Sequence, residues 1–197
     1  MAGLIGFYNL NNWWQNDLSE NERSILETLF TPMTSNGVMK GMLTTGNQKW
    51  DESTFGFLSI LLGWVNKIEY YDIAKKIIKI AMENIEKAKN EYEKHSFYGE
   101  LVKIHYKNRD NDPHSLELAI QACKDQIKLG KYGNKMFPKS EGFKNLPEHI
   151  GYKQLCIIEE KKGNFEEVLK LATQAKNEGW SGDWDKRIEK IKNKIKK

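Results

Sequence analysis

Apolar residues recur every three or four positions along almost the whole chain, and no segment alternates between apolar and polar residues for long. This spacing gathers apolar side chains on one face of an α-helix and predicts an all-α fold. Ser19 and Glu22 have the spacing of a capping box, which opens a helix. Pro32 disfavours helical geometry in the residue before it, so this helix is expected to end near Thr31. A further short helix is predicted around Trp13, before the helix that Ser19 opens. Seven more are predicted, which makes about nine in all, over residues 54–68, 72–90, 95–107, 114–129, 148–162, 165–178 and 183–196.

Two long stretches interrupt the helical pattern and contain many Gly, Ser, Thr, Asn and Lys residues. They comprise residues 31–52 and 130–146. Loops longer than about 12–15 residues are commonly functional or mobile, so both are candidate moving parts. We predict three parts of the chain: N-terminal helices with a long loop in residues 1–52, helical repeats in residues 53–178, and a basic capping helix in residues 179–197.

The predicted helices form pairs joined by short turns, and the clearest pair covers residues 149–178. An apolar stripe on its first helix faces an apolar stripe on its second, and a glycine marks the turn between them. These residues are Tyr152, Leu155, Cys156, Gly163, Phe165, Val168, Ala172 and Ala175. The pattern resembles the tetratricopeptide repeat, although Glu159 stands where that family has an aromatic residue and Val168 where it has alanine. Units that begin at Phe55 and His95 match the pattern more weakly and at unequal intervals.

The resemblance implies an α-solenoid, in which antiparallel helix hairpins stack side by side because a single pair cannot bury its apolar faces. The whole chain is also similar to small helical-repeat proteins of bacteria and phages, which implies the same architecture. In the repeat family, the first helix of each pair lines a concave surface that binds a ligand. The ligand-facing positions of the repeat are then mapped onto this sequence. They include the candidate partner-binding residues Asn66, Lys67, Lys103, Tyr106, Lys107, Lys153 and Lys161.

Gly63 and Gly99 fall inside predicted helices, on the same carried-over surface. Glycine costs about 1 kcal/mol relative to alanine in a helix interior. Either close packing between helices or the close approach of a ligand backbone would explain glycine at these positions, and the sequence leaves both explanations open.

The positive charge of the chain is concentrated at its C-terminus. The net charge is +4, and residues 185–197 contain seven Lys or Arg and two acidic residues, a local charge of +5, which leaves −1 for residues 1–184. A lysine-rich terminal helix is most often a solvated surface. Clustered lysines also bind phosphate groups, so binding of RNA or DNA through this helix and the groove lysines is an alternative function.

The sequence contains no motif or cluster typical of catalysis. The histidines never fall four residues apart, and neither a GxxxxGK[ST] phosphate loop nor a GxSxG nucleophile elbow occurs. We therefore expect no enzymatic activity, no metal and no cofactor.

The sequence also predicts where the protein is found. Two cysteines cannot build a disulfide framework, no apolar run is long enough to span a membrane, and no basic segment marks a secretory signal. A cytoplasmic protein is therefore expected.

Partner binding is the function that the sequence favours. We expect a partner protein or peptide on the concave face, as in a bacterial or phage adaptor or inhibitor. An acidic ligand is favoured because lysine ammonium groups on neighbouring helices would bind its oxygen atoms. A peptide sensor, in which the two long loops move when a ligand binds, is a further interpretation of the same surface.

Overall fold

The computed structural model describes residues 2–34, 37–47, 49–138 and 145–196. These residues are mostly helical, which confirms the predicted all-α class. The α-helices are α1 (Gly3–Phe7), α2 (Asn11–Asn16), α3 (Glu20–Leu29), α4 (Thr54–Trp64), α5 (Tyr71–Glu83), α6 (Glu91–Lys107), α7 (Ser115–Leu129), α8 (Gly133–Met136), α9 (Ile150–Lys162), α10 (Phe165–Asn177) and α11 (Trp184–Ile195). Two short ladders pair β1 (Met33–Thr34) with β2 (Gly37–Val38) in antiparallel orientation, and β3 (Leu146–Glu148) with β4 (Trp180–Ser181) in parallel orientation.

The predicted helices are present, with some shifted ends. Three short helices precede the first long loop where two were expected, and α8 adds one turn of helix in the second loop. The capping box of Ser19 and Glu22 is present at the start of α3. The helix predicted over residues 72–90 ends earlier, because the Asn84 side chain donates to the Ile80 carbonyl at 2.8 Å and the chain continues as a 3₁₀ turn.

The first long loop caps the N-terminus of α1. The first amides of a helix have no acceptor within it. Here the amides of Gly3, Leu4 and Ile5 donate to the carbonyls of Gly46, Met42 and Leu43 at 2.8–2.9 Å. Residues 35, 36 and 48 of this loop, and residues 139–144 of the second, lie outside the described residues.

The chain divides into two compact units, residues 1–100 and residues 101–197, and the boundary falls within α6. The predicted division into residues 1–52, 53–178 and 179–197 follows the extent of the repeat pattern in the sequence, whereas the two units are defined by contacts within each unit. It stays a prediction.

The core of the first unit is built around α4, which is apolar on almost every side. Phe55, Phe57 and Leu61 are fully buried. The Phe57 ring stacks on Tyr8 with ring centroids 4.6 Å apart, and the Phe30 ring contacts Phe57 edge-on at 6.2 Å. This aromatic packing connects α4 to α1 and α3.

A buried carboxylate fixes the start of α4. Glu93 accepts hydrogen bonds from the Ser53 hydroxyl at 2.6 Å and from the Lys89 amide at 2.8 Å. It lies directly against the first turn of α4, at Gly56, where a Cβ atom would overlap with its Oε1 atom. The lack of a side chain at Gly56 is therefore what lets the carboxylate reach Ser53.

Two glycines of α4 are expected to respond in opposite ways to substitution by alanine. Gly56→Ala should lower the free energy of unfolding by about 1–3 kcal/mol, because the new methyl group displaces the Glu93 carboxylate. Gly63→Ala should raise it by up to about 1 kcal/mol, because alanine is the better helix former. At Gly63 the nearest atoms to a Cβ belong to the Glu100 carboxyl group, 3.9 Å away. Urea denaturation of both variants measures the difference, and equal effects would contradict it.

In the second unit, α9 packs against α7 and α10, and α10 packs against α11. Gly163 joins α9 to α10 in the left-handed conformation, with φ at 80°, which glycine adopts without strain. Glu159, at the position where the repeat has an aromatic residue, accepts hydrogen bonds from Asn164 at 2.6 Å and Lys162 at 3.0 Å. Burial raises the pKa of Glu159, but these hydrogen bonds outweigh it and hold the pKa below its ordinary value. A carboxylate thus joins the two helices of this hairpin at their turn.

Candidate functional site: a basic cleft between α9 and α11

One face of α9 is buried within the second unit, and another face remains accessible. The buried stripe consists of Tyr152, Leu155 and Cys156. On the accessible face, Lys153, Ile157 and Lys161 follow one another at intervals of four residues, which places them in one row along the helix. The two lysines are exposed and Ile157 is half-buried.

Two large apolar side chains hold α11 against the rest of the second unit. Trp184 and Ile191 are both buried, and the Trp184 indole N–H donates to the Trp180 carbonyl at 2.7 Å. These contacts fix the rotation of α11 about its own axis. Residues spaced by three and four positions then share a second face, which carries three cations. They are Arg187, Lys190 and Lys194.

The accessible face of α9 and the cationic face of α11 border a cleft of about 580 Å³. Its lining residues, which we name the basic cleft, are Ile157, Glu160, Lys161, Asp183, Lys186, Arg187, Lys190 and Lys194. Five of these residues are cationic and two are anionic, so the cleft carries a net charge of +3. The charge and the open shape suit an anionic ligand.

One carboxylate organises the cations of the basic cleft. Glu160 lies 2.7 Å from the Lys190 ammonium, 2.8 Å from that of Lys194 and 3.4 Å from the Arg187 guanidinium. The hydrogen bonds from Lys190 and Lys194 lower the pKa of Glu160 to about 2. A single negative charge cannot neutralise three positive ones, so the cluster keeps an excess of positive charge.

Two of the predicted site residues meet at the edge of α9. The Lys161 ammonium, which lines the basic cleft, donates to the Tyr106 hydroxyl at 3.1 Å. The Arg109 guanidinium lies 4.4 Å from the centroid of the same tyrosine ring. Tyr106 therefore connects the end of α6 to α9 and adds an aromatic surface next to Lys161.

A third predicted site residue, Lys153, lines a smaller cleft beside the basic cleft. This smaller cleft measures about 340 Å³ and shares Asp183 and Arg187 with the basic cleft. Within it, the Lys153 ammonium lies 2.9 Å from the Glu148 carboxylate. An acidic group is thus already bound at Lys153, where it comes from the chain itself.

The remaining predicted site residues lie elsewhere on the chain. Lys103 and Lys107 are exposed on α6, in the second unit. Asn66 and Lys67 belong to the first unit, where the Lys67 ammonium lies 3.8 Å from the Glu69 carboxylate. The role of these four residues in partner binding stays a prediction.

The sequence predicted a basic capping helix and, for nucleic-acid binding, a surface shared by this helix and the groove lysines, but it did not indicate which residues of α9 lie opposite the cations of α11. A signal was present, because Arg187, Lys190 and Lys194 recur at helical spacing beside the apolar stripe of α11. Their shared partner Glu160 is distant in sequence, and only the folded structure brings it to them. Lys197, the last residue of the predicted basic tail, lies outside the described residues.

Several other kinds of site are not found in the part of the chain that the structure describes. It holds no group of three or more His, Cys, Asp or Glu side chains placed to bind a metal ion. No described helix is both long enough and apolar enough to cross a membrane. Burial raises the pKa of Cys123 to about 12 and that of Cys156 to about 11, so both are neutral thiols near pH 7.

No protein-family model matches the chain, and no match was found among the curated proteins or the solved structures with which it was compared. The most distinctive chemistry among the described residues is the excess of positive charge in the basic cleft.

Proposed function

We propose that this protein is a non-enzymatic binding module that holds an acidic segment of a partner protein in the basic cleft. The observation that carries the proposal is the charge of the lining, with five cations and two carboxylates. Carboxylates of a partner would accept hydrogen bonds from Lys and Arg, and such charge-assisted bonds are about twice as strong as neutral ones. The half-buried Ile157 adds apolar contact. Such a module would serve as an adaptor or an inhibitor.

We further propose that the fold is a tetratricopeptide-like helical repeat. The proposal is supported by the burial of the residues that match the repeat pattern. In the clearest pair, the fully buried ones are Tyr152, Cys156, Val168, Ala172 and Ala175. The turn glycine of the pattern, Gly163, has the expected left-handed conformation. In this architecture α11 is the capping helix that covers the last hairpin.

A protein segment is favoured over a nucleic acid by the mixed charge around α11. Its cations do not form an uninterrupted basic track, because Glu160 lies among Arg187, Lys190 and Lys194, and Asp185 pairs with Lys176. Nucleic-acid backbones are bound by clustered cations that neutralise successive phosphates. A nucleic acid carries a negative charge at every nucleotide, so some phosphates would lie against Glu160, whereas a protein segment can place its few carboxylates at the cations and uncharged residues near Glu160. Binding of a nucleic acid is therefore the alternative outcome of the test.

Charge reversal on α11 tests the proposal with a matched control. A fluorescent peptide of ten glutamates is titrated with the full chain, and binding is followed by anisotropy. Lys190→Glu should weaken binding at least about tenfold, because it reverses a charge in the cleft lining. Lys192→Glu makes the same change at an exposed position of α11 outside that lining, and should weaken binding less than about twofold.

The proposal fails if both reversals weaken binding equally. It also fails if a single-stranded oligonucleotide of equal charge binds more tightly than the peptide. Substitutions are preferable to deletion of α11 in this test. The buried Trp184 and Ile191 anchor the helix, so its removal would expose α10 and change stability together with charge.

A further inference from the structure

The row of residues on α9 has a length that can be matched to a ligand. Lys153, Ile157 and Lys161 are four residues apart, so an apolar side chain lies midway between two cations. An α-helix rises about 1.5 Å per residue, which separates the two lysine positions by about 12 Å along the axis. The eight residues also rotate the helix by about 80°, an offset that the long, flexible lysine side chains can close. A ligand that uses both lysines can therefore place its two anionic groups at a similar distance.

An extended peptide meets this requirement with a particular spacing. A β-strand advances about 3.3 Å per residue, so two side chains four positions apart are separated by about 13 Å. Side chains at positions i, i+2 and i+4 of an extended strand also point to the same side. Two acidic residues at i and i+4, with an apolar residue at i+2, would therefore match the charges and the apolar site of the row.

The two clefts beside α9 provide room for such a segment. The basic cleft is lined by Ile157 and Lys161, and the smaller cleft is lined by Lys153. Asp183 and Arg187 line both clefts, so the two are adjacent. A single chain can therefore contact the whole row.

The lysines at the two ends of the row make contacts that a ligand can replace. Lys153 now binds Glu148, and about half of each of these side chains is exposed to solvent. Exposed ion pairs contribute little to stability, so a second carboxylate can exchange with Glu148 at small cost. Lys161 donates to the Tyr106 hydroxyl, a neutral acceptor that a carboxylate would outcompete.

We propose that the acidic segment binds as an extended strand along α9, with two acidic residues four positions apart and an apolar residue midway between them. This inference rests on the proposed function, because it specifies the ligand of the basic cleft and extends that ligand to Lys153 in the smaller cleft. It assigns the carboxylates to Lys153 and Lys161 and the apolar side chain to Ile157. Polyglutamate also has acidic residues four positions apart, but it has glutamate in place of the apolar residue and would bind by charge alone.

Three peptides of seven residues, each with the same labelled glycine–serine tails, test the spacing. GESLSEG has the proposed pattern, GSELESG has the same composition with acidic residues two positions apart, and GESSSEG lacks the apolar residue. GESLSEG should bind the full chain about tenfold more tightly than either of the others. Ile157→Ser should remove the preference for leucine over serine, and Lys153→Gln should remove the preference for the wider spacing.

The outcomes separate the inference from the proposed function. Equal binding of all three peptides would overturn the inference and leave the proposed function intact, because acidic segments would still bind. Binding of the ten-glutamate peptide without binding of any of the three would have the same meaning. If neither the three peptides nor the ten-glutamate peptide binds, the proposed function itself fails. Circular dichroism of both variants shows whether they remain folded.

Discussion

Replacement of Trp184 by alanine is expected to lower the free energy of unfolding by about 3–5 kcal/mol. The Trp184 ring is buried, it lies edge-on to Tyr152 at 6.4 Å, and its N–H donates to the Trp180 carbonyl at 2.7 Å. Alanine would leave a cavity beneath α11 and remove the hydrogen bond from the indole N–H to the Trp180 carbonyl. Urea denaturation of the full chain measures the loss. Binding of the ten-glutamate peptide should weaken with it, because α11 carries one wall of the basic cleft.

Trp184→Phe is the control for this substitution. Phenylalanine keeps a buried six-membered ring but removes the N–H donor and the remaining volume of the indole, so the expected loss is about 1–3 kcal/mol. Both variants lack the N–H donor, so a larger loss for alanine than for phenylalanine would show that a packed aromatic ring stabilises this position beyond the hydrogen bond. A loss below about 1 kcal/mol for Trp184→Ala would show that α11 is not anchored as described.

Replacement of Glu160 by glutamine is expected to raise the affinity for acidic peptides about tenfold, since it raises the net charge of the cleft from +3 to +4 and frees three cations from their shared partner. The same change should lower the free energy of unfolding at neutral pH by about 1–3 kcal/mol, because the cations then repel one another. Anisotropy titration and urea denaturation measure the two effects. Their opposite signs distinguish this prediction from a general loss of folding.

The stabilising effect of Glu160 is also expected to depend on pH. Its pKa in the folded chain is lowered from the ordinary value of 4.5 to about 2. A carboxylate with a lowered pKa stabilises the fold above its unfolded pKa, and this contribution is lost as the pH falls through the folded pKa. The difference in stability between the unchanged chain and Glu160→Gln should therefore be full above about pH 5 and vanish near pH 2.

Glu189→Gln is the matched control for Glu160→Gln. Glu189 is an exposed residue of α11 outside the lining of the basic cleft, and the substitution makes the same chemical change. It should leave both affinity and stability nearly unchanged. Weaker binding by Glu160→Gln than by the unchanged chain would mean that Glu160 positions the cations for the ligand rather than competing with it.

The local elements of this protein could be predicted from the sequence because their causes are local. The capping box at Ser19 and Glu22 joins residues three positions apart, and the turn at Gly163 needs one residue that tolerates a positive φ. The apolar stripes of α9 and α10 follow from helical periodicity alone. The ends of the helices were predicted less accurately. The end of α5, for example, depends on a side-chain hydrogen bond of Asn84, which periodicity does not indicate.

The resemblance to the repeat also located part of the candidate site. It placed Lys153 and Lys161 on the accessible face of α9, and both line the clefts there. The resemblance did not explain why a glutamate, Glu159, stands at a position where the repeat has an aromatic residue. In the structure, the Glu159 carboxylate accepts hydrogen bonds that connect the start of α10 to the end of α9. An aromatic residue at this position would pack but could not accept these hydrogen bonds.

The sequence by itself determined the helical class, the hairpin at Gly163 and the row of lysines on α9, because each depends on residues within a few positions of one another. Only the tertiary structure decided that the cations of α11 face this row. The hydrogen bonds from Arg187 and Lys194 to Glu160 join residues 27 and 34 positions apart. They form because the buried Trp184 and Ile191 pack α11 against α10, beside α9. The apolar stripe of α11 is visible in the sequence, but the helices it packs against are not encoded in any local pattern.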